Sequence, residues 1–286
     1  MIRQRTIKGQ VEIKGIGLQT GKEVILTLKT SPANSGINFI RADLPNKPFL
    51  NIRSIFNPDS NQGPERRTTL GVGPLQVQTT EHFLAALSGM GIDNIVAQID
   101  NVELPGLDGS AKGFVDLLKE TGILEQDAPK KILELARPVW CEKGESLITI
   151  FPSERFQISY TLSYKNPSLG TQFLDIVLDE GNFETEIAPA RTFCLEDEAL
   201  ELLKRGLGKG ADYENTLVIG KTGPIKNKFR FPDEPVRHKI LDLIGDLYLI
   251  GMPIKGHVVA LKSGHSLNME LARKLREEVG NGKRGN

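Results

Sequence analysis

Two cysteines, Cys141 and Cys194, are all that a chain of 286 residues contains. So few exclude a disulfide framework and a cysteine-rich zinc knuckle. Charge of either sign is not in excess, since 36 Lys and Arg stand against 36 Asp and Glu. That balance excludes a broad electrostatic footprint for duplex nucleic acid, while a local basic pocket stays open. Long apolar runs are missing too. The best, from Leu247 to Ile254, contains Gly251 and Pro253 and falls short of the ~20 residues that span a bilayer. The N-terminal MIRQRTIK carries charges where a signal peptide needs its apolar region. A cytoplasmic monomer is expected, with no nucleic-acid partner and no stable membrane insertion.

What is present is an ordinary globular composition, 39% apolar and 25% charged, long enough to bury a sizeable core. At ~150 residues per domain the length suggests two domains. Val24–Leu28 reads as a strand, and the breaker-rich stretch from Asn57 to Arg67 as a loop. Thr79 or Thr80 can cap a helix from Glu81 to Met90, with Gly91 at its left-handed stop. Ser110 can cap a second from Ala111 to Glu120, stopped by Gly122. Gln126–Pro129 breaks the pattern. The boundary is therefore placed there, giving units 1–127 and 128–286. In the second half Ser146–Phe151 and Phe156–Tyr164 read as strands, and helical periods cover Glu196–Arg205, Val236–Ile250 and Leu267–Val279. Strands first and helices later in both halves point to an α+β fold of two similar domains. Each would be a mostly antiparallel sheet with helices on one face.

Only four histidines occur, so each can be weighed by its setting. In RHKILDLIGDL, His238, Asp242 and Asp246 fall at i, i+4 and i+8, one polar stripe on a helix that is apolar nearly all round. Buried charge needs a partner, and a divalent ion gripped by His238 and Asp242 would serve. Asp246, about 12 Å from His238 along the axis, suits a supporting carboxylate better than a ligand. The same letters also fit a salt-bridged stripe with Lys or Arg partners. A catalytic zinc wants a third protein ligand, and Glu81-His82 offers it: His82 for the metal, Glu81 for the proton of metal-bound water. A first-turn Glu favoured by the helix dipole beside a half-buried His explains that pair equally well. His265, in a turn before the last helix, suits acid or oxyanion work if Asp246 lies near; it could also only cap the helix. His257 reads as structural. In APARTFC, Thr192 places a hydroxyl beside an Arg and an aromatic. Cys194 reads as a small buried apolar residue.

Five motifs in order, TTEHFLAALSGMGIDN, ELPGLDGSA, ARTFC, FPDEPVRHKILDLIGDL and KSGHSLN, resemble the UDP-3-O-acyl-N-acetylglucosamine deacetylases, zinc amidases of bacterial lipid A synthesis. The resemblance runs from Gln4 through the C-terminal helix. It implies two similar α+β domains with the active site between them. It implies one Zn2+ per chain, with Fe2+ as an alternative in vivo, held by His82, His238 and Asp242. Glu81 would be the general base, with His265 oriented by Asp246 as acid or electrostatic partner and Thr192 on the oxyanion. The substrate would be a small acylated UDP-sugar. Lys239 would lie near its diphosphate or leaving amine, and Phe193 at the sugar or the mouth of the acyl passage. Leu18 and Lys262 would be further substrate contacts. The family usually reads Gly-Leu-His-Thr-Gly where this chain has Gly17-Leu18-Gln19-Thr20-Gly21, so that histidine's contribution is absent here.

The chemistry implied is hydrolysis of the acetamide, with zinc polarising the carbonyl and acidifying water. The amphipathic segment Leu195–Leu207 is expected to wall an acyl channel. Two rivals remain: a nucleotide-sugar binding protein with a closed structural metal, and a metalloamidase acting on a peptide or another sugar.

Overall fold

The computed structural model describes residues 1–55 and 67–281. The loop expected over Asn57–Arg67 therefore lies outside the described residues, Arg67 excepted. The helices among the described residues are α1 (Ile52–Ile55), α2 (Glu81–Gly89), α3 (Lys112–Thr121), α4 (Glu180–Asn182), α5 (Glu196–Lys204), α6 (Glu234–Tyr248) and α7 (His265–Asn281).

Two mixed, mostly antiparallel sheets carry the fold. The first runs Gln10–Ile16, Glu23–Lys29, Ile95–Ile99, Ile37–Arg41, Phe49–Asn51 in spatial order. The second runs Val139–Lys143, Ser146–Phe151, Ile254–Leu261, Phe156–Ser163, Thr171–Val177. The plan is the same in both. Two hairpins flank one strand that arrives late in the sequence, antiparallel to one neighbour and parallel to the other. In each half a helix precedes that late strand and another follows it: α2 and α3 around Ile95–Ile99, α6 and α7 around Ile254–Leu261. The expected α+β architecture is thus present twice. Strands buried on one face alternate as they should: Ile254, Gly256, Val258 and Ala260 point inward, Lys255 and His257 outward.

Four local readings need correction. Neither Thr79 nor Thr80 caps α2. Thr80 occupies the cap position with helical dihedrals and no side-chain cap bond, and the Thr79 hydroxyl donates to Glu103 at 2.7 Å instead. Second, Gln126–Pro129 does not break the pattern. It is the end of a strand, Ile123–Pro129, paired antiparallel with Arg3–Ile7. A proline is tolerated there because each strand of a two-stranded ribbon is an edge. Third, α7 begins at His265 rather than Leu267. The α3 cap shifts as well, to Ala111 with helical dihedrals and no side-chain cap bond, although Ser110 Oγ still accepts from Lys112 N at 3.1 Å. The stops hold, with Gly91 and Gly122 at positive φ, 65° and 82°, at the ends of α2 and α3.

Both α2 and α6 are buried nearly all round, as their apolar flanks require, and they pack against each other. At their crossing the backbones touch. A Cβ on Gly245 would lie 2.0 Å from the Glu81 carbonyl oxygen, so only glycine permits the approach.

Candidate active site

That crossing brings the first-half His82 to the second-half pair. His82 Nε2 lies 3.7 Å from Asp242 Oδ1, and His238 Nε2 lies 3.3 Å from the same oxygen. The two rings stand edge to face with centroids 5.0 Å apart. Ligand atoms of all three residues fall within 4.8 Å of one another, and all three side chains are buried. His238 Nδ1 is 3.0 Å from the Ala190 carbonyl; a proton there turns Nε2 into a free lone pair facing the cluster, the tautomer a metal-binding imidazole needs.

Charge agrees with geometry. Burial, reinforced by the neighbouring His238, holds His82 down at about 3. Burial also lowers His238, against the pull of Asp242. Burial alone would lift the Asp242 carboxyl, but Lys239 and the surrounding imidazoles outweigh it and hold it well below the usual range. Two neutral imidazoles and one carboxylate form the donor set that a divalent cation binds without displacing protons. The residues fit a metal.

Beside this cluster sit the proton-carrying groups. Glu81 is buried and burial pushes its carboxyl up to about 7, although His265 pulls the other way. Its Oε2 accepts the Thr68 backbone N–H at 3.0 Å. A carboxylate oxygen of Glu81, one of Asp242 and a ring nitrogen of His265 also lie within 4.8 Å of one another. His265 Nδ1 meets Asp246 Oδ2 at 2.9 Å. Burial opposes the imidazolium, but Asp246 and Asp242 prevail and raise its pKa to about 9. Asp246 is fully buried and receives further hydrogen bonds from Asn268, at 2.9 Å, and from the Thr68 hydroxyl. Asp246 belongs to neither group of candidate ligands and meets the site through His265, whose Nε2 lies 3.8 Å from Asp242 Oδ2.

These groups open onto a cavity of about 770 Å³, within the range of small-molecule sites. Glu81, His82, His238, Lys239, Asp242 and His265 line it. Thr192, Phe193 and Leu18 line it as well. Thr192 is fixed on both sides of its backbone, N to Gly109 and O from Leu217. Lys239 Nζ bonds Asp242 Oδ2 at 2.9 Å and sits 5.7 Å from the Phe193 ring centroid. Lys262 is not among the lining residues; its Nζ pairs with Glu145 at 2.8 Å. Ala199, Leu200, Leu202 and Leu203 of α5 add apolar side chains to the cavity lining.

Arg191 also anchors the ARTFC segment. Arg191 Nε meets Glu234 Oε1 at 2.9 Å, both buried, tying this segment to the first turn of α6. Gln19 spans two loops: its Oε1 accepts from Gly208 N at 3.0 Å and its backbone O from Lys209 N at 3.2 Å. Glu103 in turn holds the Gly17–Gly21 turn, accepting from Gln19 N at 2.9 Å and Thr20 N at 2.8 Å. Thr68, Glu103 and Asn268 escaped the sequence reading. Glu103 and Asn268 stand inside ELPGLDGSA and KSGHSLN but receive no role there, and Thr68 lies outside every motif, meeting its acidic partner 178 residues away.

The chain matches the family described as UDP-3-O-acyl N-acetylglycosamine deacetylase over residues 4–277. It is similar to the UDP-3-O-acyl-N-acetylglucosamine deacetylase of Chlamydia felis, 44% identical over 278 residues, covering 96% of this chain and 98% of that protein. It is similar also to that of Chlamydia trachomatis serovar L2, 41% identical with 96% of each covered. The Anaeromyxobacter protein of that name is 39% identical, with 97% and 90% covered.

Proposed function

The chain belongs to the UDP-3-O-acyl N-acetylglycosamine deacetylase family, and we propose on that footing that it hydrolyses the acetamide of UDP-3-O-acyl-N-acetylglucosamine. The products are acetate and the free amine, the committed step of lipid A biosynthesis. The observation that carries the reading is the meeting of His82 with His238 and Asp242 beside a buried Glu81, all facing one cavity.

His82, His238 and Asp242 would hold one Zn2+, with Fe2+ compatible with the same donors. Such an ion supplies a Lewis acid for the amide carbonyl and lowers the pKa of water. Glu81, fixed by the Thr68 N–H, takes the proton of the attacking water. The Thr192 hydroxyl, at the cavity wall, donates to the oxyanion of the tetrahedral intermediate. His265, kept charged by Asp246, stabilises the same negative charge, and the proton reaching the leaving nitrogen comes from Glu81 or His265. Lys239 neutralises Asp242 and offers a cation toward the leaving amine or diphosphate. The α5 wall of leucines suits the acyl chain. The division into two units belongs to the same reading. Its support is the repeated strand-and-helix plan, which moves the junction from 127/128 to just after Pro129.

The test is acetate release from the acylated UDP-sugar by purified protein, before and after chelation and after Zn2+ is returned. Loss and recovery of turnover with one bound ion per chain is expected. Absence of acetate release from the metal-loaded protein refutes the reading.

A further inference from the structure

Thr68 precedes α2 and is fully buried. Its three polar groups reach different parts of the site. The backbone N–H donates to Glu81 Oε2 at 3.0 Å. The carbonyl accepts the N–H of Thr80, the residue before α2, at 3.3 Å. The hydroxyl contacts Asp246 Oδ1 and lies 3.2 Å from His265 Nδ1.

Proton counting fixes the direction of these bonds. A threonine hydroxyl has one hydrogen, and an ionised carboxylate only accepts, so the hydroxyl proton goes to Asp246 Oδ1. Asp246 Oδ2, the nearer acceptor at 2.9 Å, takes the His265 Nδ1–H. The lone pairs of the Thr68 oxygen then face that same N–H as a second acceptor. Of the donors named to Asp246, Asn268 and His265 stand on α7, in its own half, whereas Thr68 comes from the half that carries Glu81.

We propose that Thr68 is a positioning residue for the hydrolysis, a single residue that orients Glu81 through its backbone and the Asp246–His265 pair through its hydroxyl. It thereby fixes the base and the imidazole relative to each other across the two halves of the chain. The inference rests on the deacetylase reading for its rate prediction and on the hydrogen bonds alone for its spectroscopic one.

Thr68→Ala and Thr68→Ser both lose the methyl group and keep the backbone N–H, so comparing them isolates the hydroxyl. A hydrogen bond to a charged partner lost in a buried site corresponds to a fall in kcat of about 10- to 100-fold. Thr68→Ala should show that fall with KM and bound metal unchanged, and Thr68→Ser should recover to within about threefold of the parent. The 15N imidazole signals of His265 should move in Thr68→Ala and return in Thr68→Ser. Where the alanine variant does not stay folded, Thr68→Val keeps the volume and supplies the same comparison. A Thr68→Ala or Thr68→Val protein within about twofold of the parent kcat overturns the proposal, as does a serine variant as slow as the alanine one. If the parent itself releases no acetate, the deacetylase reading fails, and unmoved His265 signals in Thr68→Ala would then reject the positioning role separately.

Discussion

Replacing Gly245 by alanine should cost the protein its metal site before it costs the fold. Within a helix such as α6 the change is ordinarily favourable, by about 0.8–1.0 kcal/mol, because glycine loses more backbone freedom on folding. Here the new methyl group would stand 2.0 Å from the Glu81 carbonyl oxygen, 2.7 Å from its carbon and 2.9 Å from Cα. Those are backbone atoms, which cannot rotate aside. Ordinary contact starts near 3.4 Å, so α2 and α6 must part by about 1.4 Å. Overpacking of this kind costs about 1–3 kcal/mol, toward the upper end where the obstacle is backbone. The net is a destabilisation on the order of 1–2 kcal/mol, which a protein of this size survives. The site does not survive it. His82 rides on α2 while His238 and Asp242 ride on α6, and ligand distances tolerate shifts of only about 0.2 Å. We expect metal affinity to fall by about tenfold or more, read by titrating the metal-free protein with Zn2+ against a competing chelator. Gly181→Ala, whose new Cβ meets nothing nearer than 3.4 Å, is the control and should bind as the parent does. A Gly245→Ala protein with parental affinity would show that the crossing does not set the ligand positions.

Two further outcomes follow from the same geometry. Glu81→Ala should retain the ion and lose turnover by about 10²- to 10⁴-fold, the usual contribution of a placed acid–base group; metal content and acetate release are measured on one preparation, and a near-parental rate would remove Glu81 from the mechanism. In the metal-free chain, His265 titrates at about 9 against about 6.5 when unfolded. Its stabilisation is therefore complete below about pH 6.5 and lost as pH rises through 9. Glu81, raised to about 7, also favours the folded state less as pH climbs from about 4.5. Below about pH 7 the lowered His82 and His238 work the other way, so denaturant midpoints should fall from about pH 7 to 9.5, and His265→Ala should flatten that fall. A parental slope there in the variant would contradict the assigned charge.

The local half of this site is legible in the letters because it obeys helical spacing. His238 and Asp242 at i and i+4 must share a face, and Glu81-His82 opens an apolar helical period. Ligand counting and the family resemblance bring the two together, but what makes them meet is not legible, since it depends on Gly245, a residue whose importance lies in what would collide with it. The cap assigned to Thr79 or Thr80 failed for a related reason. Local hydrogen-bonding rules rank these hydroxyls as caps, but Glu103, 24 residues on, claims the Thr79 hydroxyl. Gln126–Pro129 has breaker letters that a two-stranded edge tolerates.

The repeated topology explains why the chemistry sits where it does. Helices α2 and α6 hold equivalent places in the two halves, each leading into the late central strand of its sheet. Both must be apolar nearly all round because each is covered by its own sheet on one side and by its counterpart on the other. Polar side chains at their crossing are then shielded from water, where carboxylate and imidazole interact strongly and where an unpartnered charge would be costly. The loops leaving the two late strands are equivalent as well, yet they have diverged. The first carries Glu103, which takes hydrogen bonds from the Gly17–Gly21 turn and so props one rim of the cavity. The second ends at His265, the first residue of α7, which faces the cavity itself. On the proposed reading one half supplies the base, one ligand and a rim; the other supplies two ligands, the charged imidazole and the α5 wall, and His82, His238 and Asp242 come together only from both halves.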